Sequence, residues 1–132
     1  MLTVEIISFA FKNGIPEDKS GNYGGFVFDC RYLNNPGRHD EYKALTGKDH
    51  QVKNFFSDDQ IAEDFFTHSF SLVRRAIENY IERRFEHLQV CFGCTGGQHR
   101  SVYSAERLAT FLKHHGKINV VLYHRELEST NE

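Results

Sequence analysis

The sequence predicts an α/β domain: a largely parallel sheet of about four strands with flanking helices. Three observations carry this expectation. Short apolar runs alternate with helix-period stretches in the order strand, strand, helix, strand, helix, strand. Turn residues punctuate most of the boundaries. A Gly-rich turn joins an apolar run, Leu88–Gly93, to the amphipathic stretch that follows. The length of 132 residues suits one domain and allows a core that needs no disulfide or metal.

Leu2–Ala10 reads as the first strand, with Val4, Ile6 and Ser8 on one face and Glu5, Ile7 and Phe9 on the other. Its far end is apolar on both faces, as in a covered strand. Lys12-Asn13-Gly14-Ile15-Pro16 ends it with turn chemistry. Glu17–Gly25 is polar and glycine-containing and reads as a mobile loop. Phe26–Leu33 reads as the second strand, stopped by Asn34-Asn35-Pro36-Gly37. Arg38–Phe56 is polar and shows no clear period. Ser57 or Asp58 caps a long helix reaching about Phe85, with Ile61, Phe65, Leu72, Ala76, Tyr80 and Ile81 at helical spacing. Leu88–Gly93 is the third strand. Arg100–His115 is the second helix, with Val102, Ala105, Leu108, Ala109 and Leu112 inward and Gly116 as a left-handed cap. Ile118–Tyr123 is the fourth strand, and Glu126–Glu132 is a polar tail.

Composition excludes several classes. Hydrophobic residues at 39% and charged residues at 26% are near globular norms. The net charge of −2 argues against a general nucleic-acid magnet, so an anion site has to be a local pocket. No apolar run approaches membrane-spanning length. The amino terminus lacks the basic leader and cleavage site of a signal peptide. The three cysteines, Cys30, Cys91 and Cys94, fit free thiols in a cytoplasmic protein.

In parallel sheets, ligands sit outside the carboxyl ends of the strands. Polar residues gather at those ends: Ser8 and Lys12 after the first strand, Asp29, Arg31 and Asn34 after the second, Cys94–Ser101 after the third, His124 and Arg125 after the fourth. The informative stretch is Gly93-Cys94-Thr95-Gly96-Gly97-Gln98-His99-Arg100-Ser101. Gly96 and Gly97 permit a tight turn that converges backbone N–H groups. The helix amino terminus adds partial positive charge. Arg100 offers a planar fork, and Thr95 and Ser101 offer hydroxyls. All of this suits a tetrahedral anion.

No Walker string and no dinucleotide fingerprint is present, so no tightly held nucleotide cofactor is expected. The Cys94-x5-Arg100-Ser101 spacing does match cysteine-dependent phosphatases, in which a thiolate attacks phosphorus. There Cys94 would be the nucleophile. However, Gly93 stands where that family usually has His, and no general acid is singled out between Asp29 and Asp40. Cys91-x-x-Cys94 lacks a second ligand pair for zinc, so no metal site is read.

Several long motifs in one order resemble the RapZ C-terminal domain family. They are Ser8–Pro16, Phe26–Pro36, Leu45-Thr46-Gly47-Lys48-Asp49, Gly93–Tyr103 and His124–Glu128. The resemblance implies a phosphofructokinase-like sheet and a pocket for an aminosugar phosphate, glucosamine-6-phosphate, mapping onto Asp29, Arg31, Thr95, Gly96, Gly97, His99 and Arg100. It implies a bacterial regulatory domain that senses cell-envelope precursor supply. In some members it also implies binding of small RNAs and an endoribonuclease.

Residues 1–132 therefore read as a single such domain, consistent with a module of a larger protein. Its expected role is non-catalytic phosphosugar sensing through Lys12, Asp29, Arg31, Asn34, Thr95, Gly96, Gly97, Gln98, His99, Arg100, Ser101, His124 and Arg125. A phosphatase and an RNA- or protein-docking module are the alternatives. Two departures from the family stand out. His39 is shifted relative to the family's sugar-contacting histidine. The ending Glu126-Leu127-Glu128-Ser129-Thr130-Asn131-Glu132 replaces a Lys/Arg-rich tail. Such a tail repels a phosphate backbone, so this chain alone is not expected to bind RNA. A protein partner or fused domain fits the reading.

Overall fold

The computed structural model describes residues 1–130. Within them a four-stranded sheet has the order β2-β3-β1-β4, with β1 Leu2–Ala10, β2 Gly25–Asp29, β3 His87–Cys94 and β4 Ile118–His124. Every neighbouring pair is parallel. The helices are α1 His50–Ser57, α2 Gln60–Glu82, α3 Arg100–Leu112 and α4 Arg125–Thr130. The expected α/β class and parallel sheet are thus present.

Connection direction explains the layering. The steps β2 to β3 and β3 to β4 run the same way across the sheet. Right-handed crossovers then put α1, α2 and α3 on one face. There they bury Val4, Ile6, Leu88, Val90 and Phe92 together with Val52, Phe56, Phe66, Val73, Ile77 and Leu108. The step β1 to β2 runs the other way, so residues 11–24 cross the opposite face. Phe11 packs there on a small cluster of Ile7, Phe9 and Cys91. Both faces of the distal part of β1 are covered, as its apolar pattern predicts.

Several sequence expectations change. The second strand ends at Asp29 rather than Leu33. Cys30 N–H still bonds Gly93 O, but the Leu33 N–H then turns back to Cys30 O, and Leu33 enters the core. The long helix is two helices. Ser57 closes α1, and Asp59, not Ser57 or Asp58, caps α2 by accepting from the N–H groups of Ile61 and Ala62. The buried stripe of α2 is Ala62, Phe65, Phe66, Ser69, Phe70, Val73 and Ile77, whereas Ile61 and Leu72 are exposed. The buried face is set by what the helix packs against: Phe65 and Phe70 both meet Phe92 of the sheet. Helix α2 stops at Glu82, short of Phe85, and Arg84 takes a left-handed φ of 62°.

Helix α3 stops at Leu112, not His115. Gly116 is not left-handed; it follows the turn in which His115 N–H bonds Leu112 O. The polar stretch 38–56 carries two short 3-10 turns and α1. The loop read as mobile is internally bonded: Asp18 accepts from the N–H groups of Ser20 and Gly24. The polar tail begins as helix α4, and Asn131 and Glu132 lie outside the described residues. No helix among the described residues is long and apolar enough to cross a membrane.

Candidate functional site

The turn from β3 to α3 lies at the carboxyl edge of the sheet. Gly97 has φ of 67°, and a side chain there would meet Glu126 Cγ and the β1 backbone at Phe9 and Ala10. Glycine is therefore required on both conformational and packing grounds. Thr95 and Gly96 beside it are exposed, whereas Cys94, His99, Arg100 and Ser101 are buried.

A second segment forms the facing wall. Gln98 Nε2 donates to the carbonyls of Lys43 and Leu45 at 2.7 Å each. Gly47 N–H donates to Gln98 O at 2.9 Å, and His99 Nε2 lies 2.8 Å from Tyr42 O. A Cβ on Gly47 would come within 2.4 Å of Tyr103 N and 2.5 Å of His99 O, so only glycine lets this arm approach the start of α3. Gln98 and His99 thus hold the cleft's shape.

Two lobes result. One, of about 290 Å³, is lined by Asn35, Gly37 and Lys43 on the arm side and by Cys94, Thr95, Gly96, Gln98, His99 and Arg100 on the loop side. The other, of about 350 Å³, is bounded by Arg31, Asn34, Asn35, Arg38, His39 and Arg100, among others. Asn35 and Arg100 belong to both.

Arg100 is the hinge between the lobes and is only 7% exposed. Its Nη1 donates to Arg31 O at 2.6 Å and to Leu33 O at 3.3 Å. No described residue accepts from Nε or Nη2, and neither atom is enclosed. One nitrogen is thus structural, and the other two are available to the cleft. The first turn of α3 adds free N–H groups, since the first helical bond runs from Tyr103 N–H to His99 O. Lys43 adds a mobile positive charge, tied only to exposed Asp40 at 2.8 Å.

The other expected ligand residues scatter. Asp29 and Arg31 pair with each other, through Nε to Oδ1 at 2.9 Å and Nη2 to Oδ2 at 2.8 Å. This hydrogen bond from Arg31, opposed by partial burial, holds the Asp29 carboxyl below its usual range. Arg31 also stacks on Phe11 at 3.9 Å. Arg31 borders the second lobe, and Asp29 borders neither. Asn34 donates to Asp59 Oδ2 at 3.0 Å. Ser101 Oγ accepts from the Cys94 thiol at 3.1 Å, inside the protein. Lys12 is exposed and borders neither lobe.

His124 and Arg125 are committed elsewhere. His124 Nδ1 is 2.6 Å from Ser8 Oγ, and its Nε2 is 3.3 Å from Glu106 Oε1. Burial lowers its pKa, against an opposing pull from Glu106. Arg125 Nη2 donates to Gly14 O at 2.7 Å. Glu126 accepts from Ala10 N–H at 2.6 Å and from Asn13 Nδ2 at 3.2 Å, pinning α4 against the end of β1. Sequence reasoning missed Asn35, Gly37 and Lys43. The Asn-Pro-Gly string was readable as a turn, but nothing in it indicated that the turn walls a cleft.

The model of the RapZ C-terminal domain matches residues 2–128. A nucleotide-binding protein of Limosilactobacillus reuteri is 42% identical over 126 residues, covering 95% of this chain and 41% of the relative. One of Thermotoga neapolitana is 39% identical over 127 residues, covering 96% and 43%. Another, of Ralstonia nicotianae, is 40% identical over 126 residues, covering 96% and 40%. The chain spans about two-fifths of the length of these curated relatives. With a match across nearly its whole length, the chain belongs to the RapZ C-terminal domain family.

Proposed function

We propose that the two-lobed cleft binds a phosphorylated aminosugar of the glucosamine-6-phosphate kind, and that the domain senses this ligand without transforming it. The carrying observation is Arg100: a buried guanidinium fixed through one nitrogen, with two more open to a cleft that also holds exposed Thr95 and Gly96. A phosphate in the first lobe meets these nitrogens, the free N–H groups of α3 and the Lys43 ammonium. Charge-assisted hydrogen bonds of this kind are the strong ones. The sugar hydroxyls then face the second lobe, where Asn35 and Asn34 offer amide oxygens. The lobes are at the small end of ligand pockets, which suits a hexose phosphate better than a macromolecule.

The relatives' name, nucleotide-binding protein, describes chains more than twice as long. This chain has no Walker string to extend that activity to it. The test combines calorimetry with glucosamine-6-phosphate, glucose-6-phosphate and inorganic phosphate with an assay of phosphate release. Saturable binding that is strongest for the aminosugar phosphate, with no release, supports the proposal. Release that needs Cys94 replaces it with the phosphatase reading. No binding of any of the three overturns it.

A further inference from the structure

Three ligand-type side chains from distant parts of the chain meet on the sheet face opposite the helices: Glu5 of β1, Asp18 of the 11–24 crossover and His87 at the start of β3. Their ligand atoms all lie within 4.8 Å of one another. His87 is at the far end of β3 from Cys94, about 23 Å away at ~3.3 Å per residue. This cluster is therefore independent of the anion cleft.

His87 Nε2 is the informative atom. It is enclosed, yet has no hydrogen-bond partner among the described residues. It lies 3.4 Å from Glu5 Oε1 and 3.9 Å from Asp18 Oδ1. A buried polar atom left unpaired costs free energy, so native structures rarely keep one without a reason. Two donors on one tetrahedral zinc ion, each about 2.0–2.1 Å from the metal, are roughly 3.3 Å apart. The His87–Glu5 separation is close to that edge, and the His87–Asp18 separation is somewhat longer.

Asp18 is already placed for such a role. Its side chain is 1% exposed, and it is oriented by the N–H groups of Ser20 and Gly24. Those bonds leave lone pairs on both oxygens. They also hold the carboxyl below its usual range although burial, the largest single influence, acts the other way. On its outer side the cluster opens onto a cleft of about 630 Å³ bordered by Glu17, Lys19, Ser20, Tyr123 and Arg125.

We propose that Glu5, Asp18 and His87 form a binding site for a divalent transition-metal ion of the zinc type, with a fourth position open to this cleft. One imidazole nitrogen and two carboxylates match zinc better than magnesium, which prefers oxygen ligands and retains its waters. The ion would tie the 11–24 crossover to β1 and β3 across the face opposite α1, α2 and α3.

The experiment is calorimetric titration of the chain with Zn²⁺ at neutral pH, with Mg²⁺ in parallel. Wild type is expected to bind one equivalent of Zn²⁺ and no Mg²⁺. Glu5→Gln, close to isosteric, and His87→Gln are each expected to weaken the site at least about tenfold, the scale of lost ligand support. A His114→Asn/His115→Asn double variant, altering the adjacent pair at the end of α3, is expected to bind as wild type. Circular dichroism checks that each variant is folded; if His87→Gln is not, Glu5→Gln alone decides. Zinc binding unchanged in Glu5→Gln, or lost in the His114/His115 variant, overturns the proposal in favour of adventitious histidine binding. No saturable binding into the millimolar range also overturns it.

Discussion

Replacing Arg100 with alanine tests the cleft most directly, because the side chain has two separable jobs. Nη1 anchors the carbonyls of Arg31 and Leu33 at 2.6 and 3.3 Å, fixing the chain after β2. Hydrogen bonds to a charged group contribute roughly 1.5–3 kcal/mol each. The shorter bond falls in that range and the longer one contributes less. The carbonyls border a cleft that water can enter, which lowers the total. Arg100→Ala is therefore expected to lose about 2–3 kcal/mol of stability, read as a lower midpoint in urea with an unchanged slope. In the proposed function the other two nitrogens contact the ligand. Losing their charge-assisted contacts removes about 1.5–3 kcal/mol of binding, or roughly 10- to 150-fold in dissociation constant. Calorimetry with glucosamine-6-phosphate and with inorganic phosphate reads this, at a temperature where the variant is folded. Arg100→Lys should recover part of the phosphate affinity but not the two-carbonyl anchor, because an ammonium lacks the planar fork. Unchanged affinity for both ligands in Arg100→Ala would refute the anion-site argument. Unchanged stability would refute the anchor.

Four further outcomes follow from the same geometry. Cys94→Ser should bind the phosphosugar within a few-fold of wild type; an aryl phosphatase activity in wild type that vanishes in this variant would make Cys94 a nucleophile. Burial pushes the Cys91 thiol up to about 12, and Cys30 is also buried and raised, so neither should react with a thiol reagent in the native state; rapid labelling of either by mass spectrometry would contradict the packing. Glu126 has its carboxyl lowered from 4.5, since hydrogen bonds from Arg125, Ala10 N–H and Asn13 outweigh the effect of burial. Its stabilising contribution is therefore complete above about 4.5 and lost as pH falls through the folded value; Glu126→Gln should show a shallower acid-side loss in urea melts, and an identical pH profile would contradict that. A gel shift with a structured small RNA at physiological salt should show no sub-micromolar binding, because Arg74 is paired with Glu78 at 3.0 Å and Arg100 serves the cleft; tight, steeply salt-dependent binding would restore an RNA-docking role.

The strands were legible because a parallel, covered strand has few polar residues, and Leu88–Gly93 has only one. The Gly96-Gly97 turn was legible as a turn because it separates an apolar run from an amphipathic stretch. Helix phase was less accessible. Period alone did not place the α2 stripe, because the buried face is chosen by packing on the sheet, where Phe65 and Phe70 meet Phe92. Side-chain commitment was not accessible at all. Asp29 and Arg31 look like ligand groups until Arg31 is seen folded onto Asp29 and Phe11. His124 looks like a site residue until Ser8 and Glu106 take both its nitrogens.

Local chemistry along the chain thus determines which segments become strands and where the glycine turn into α3 lies. Long-range packing decides which charges remain free to act, since the hydrogen bond from Arg100 to Arg31 O and the approach of His87 to Glu5 both depend on strand order. The same holds for the Glu5–Asp18–His87 cluster, whose members are separated by 13 and 69 positions. They come together only because the first crossover runs against the direction of the other two and lays Asp18 over the face that β1 and β3 share.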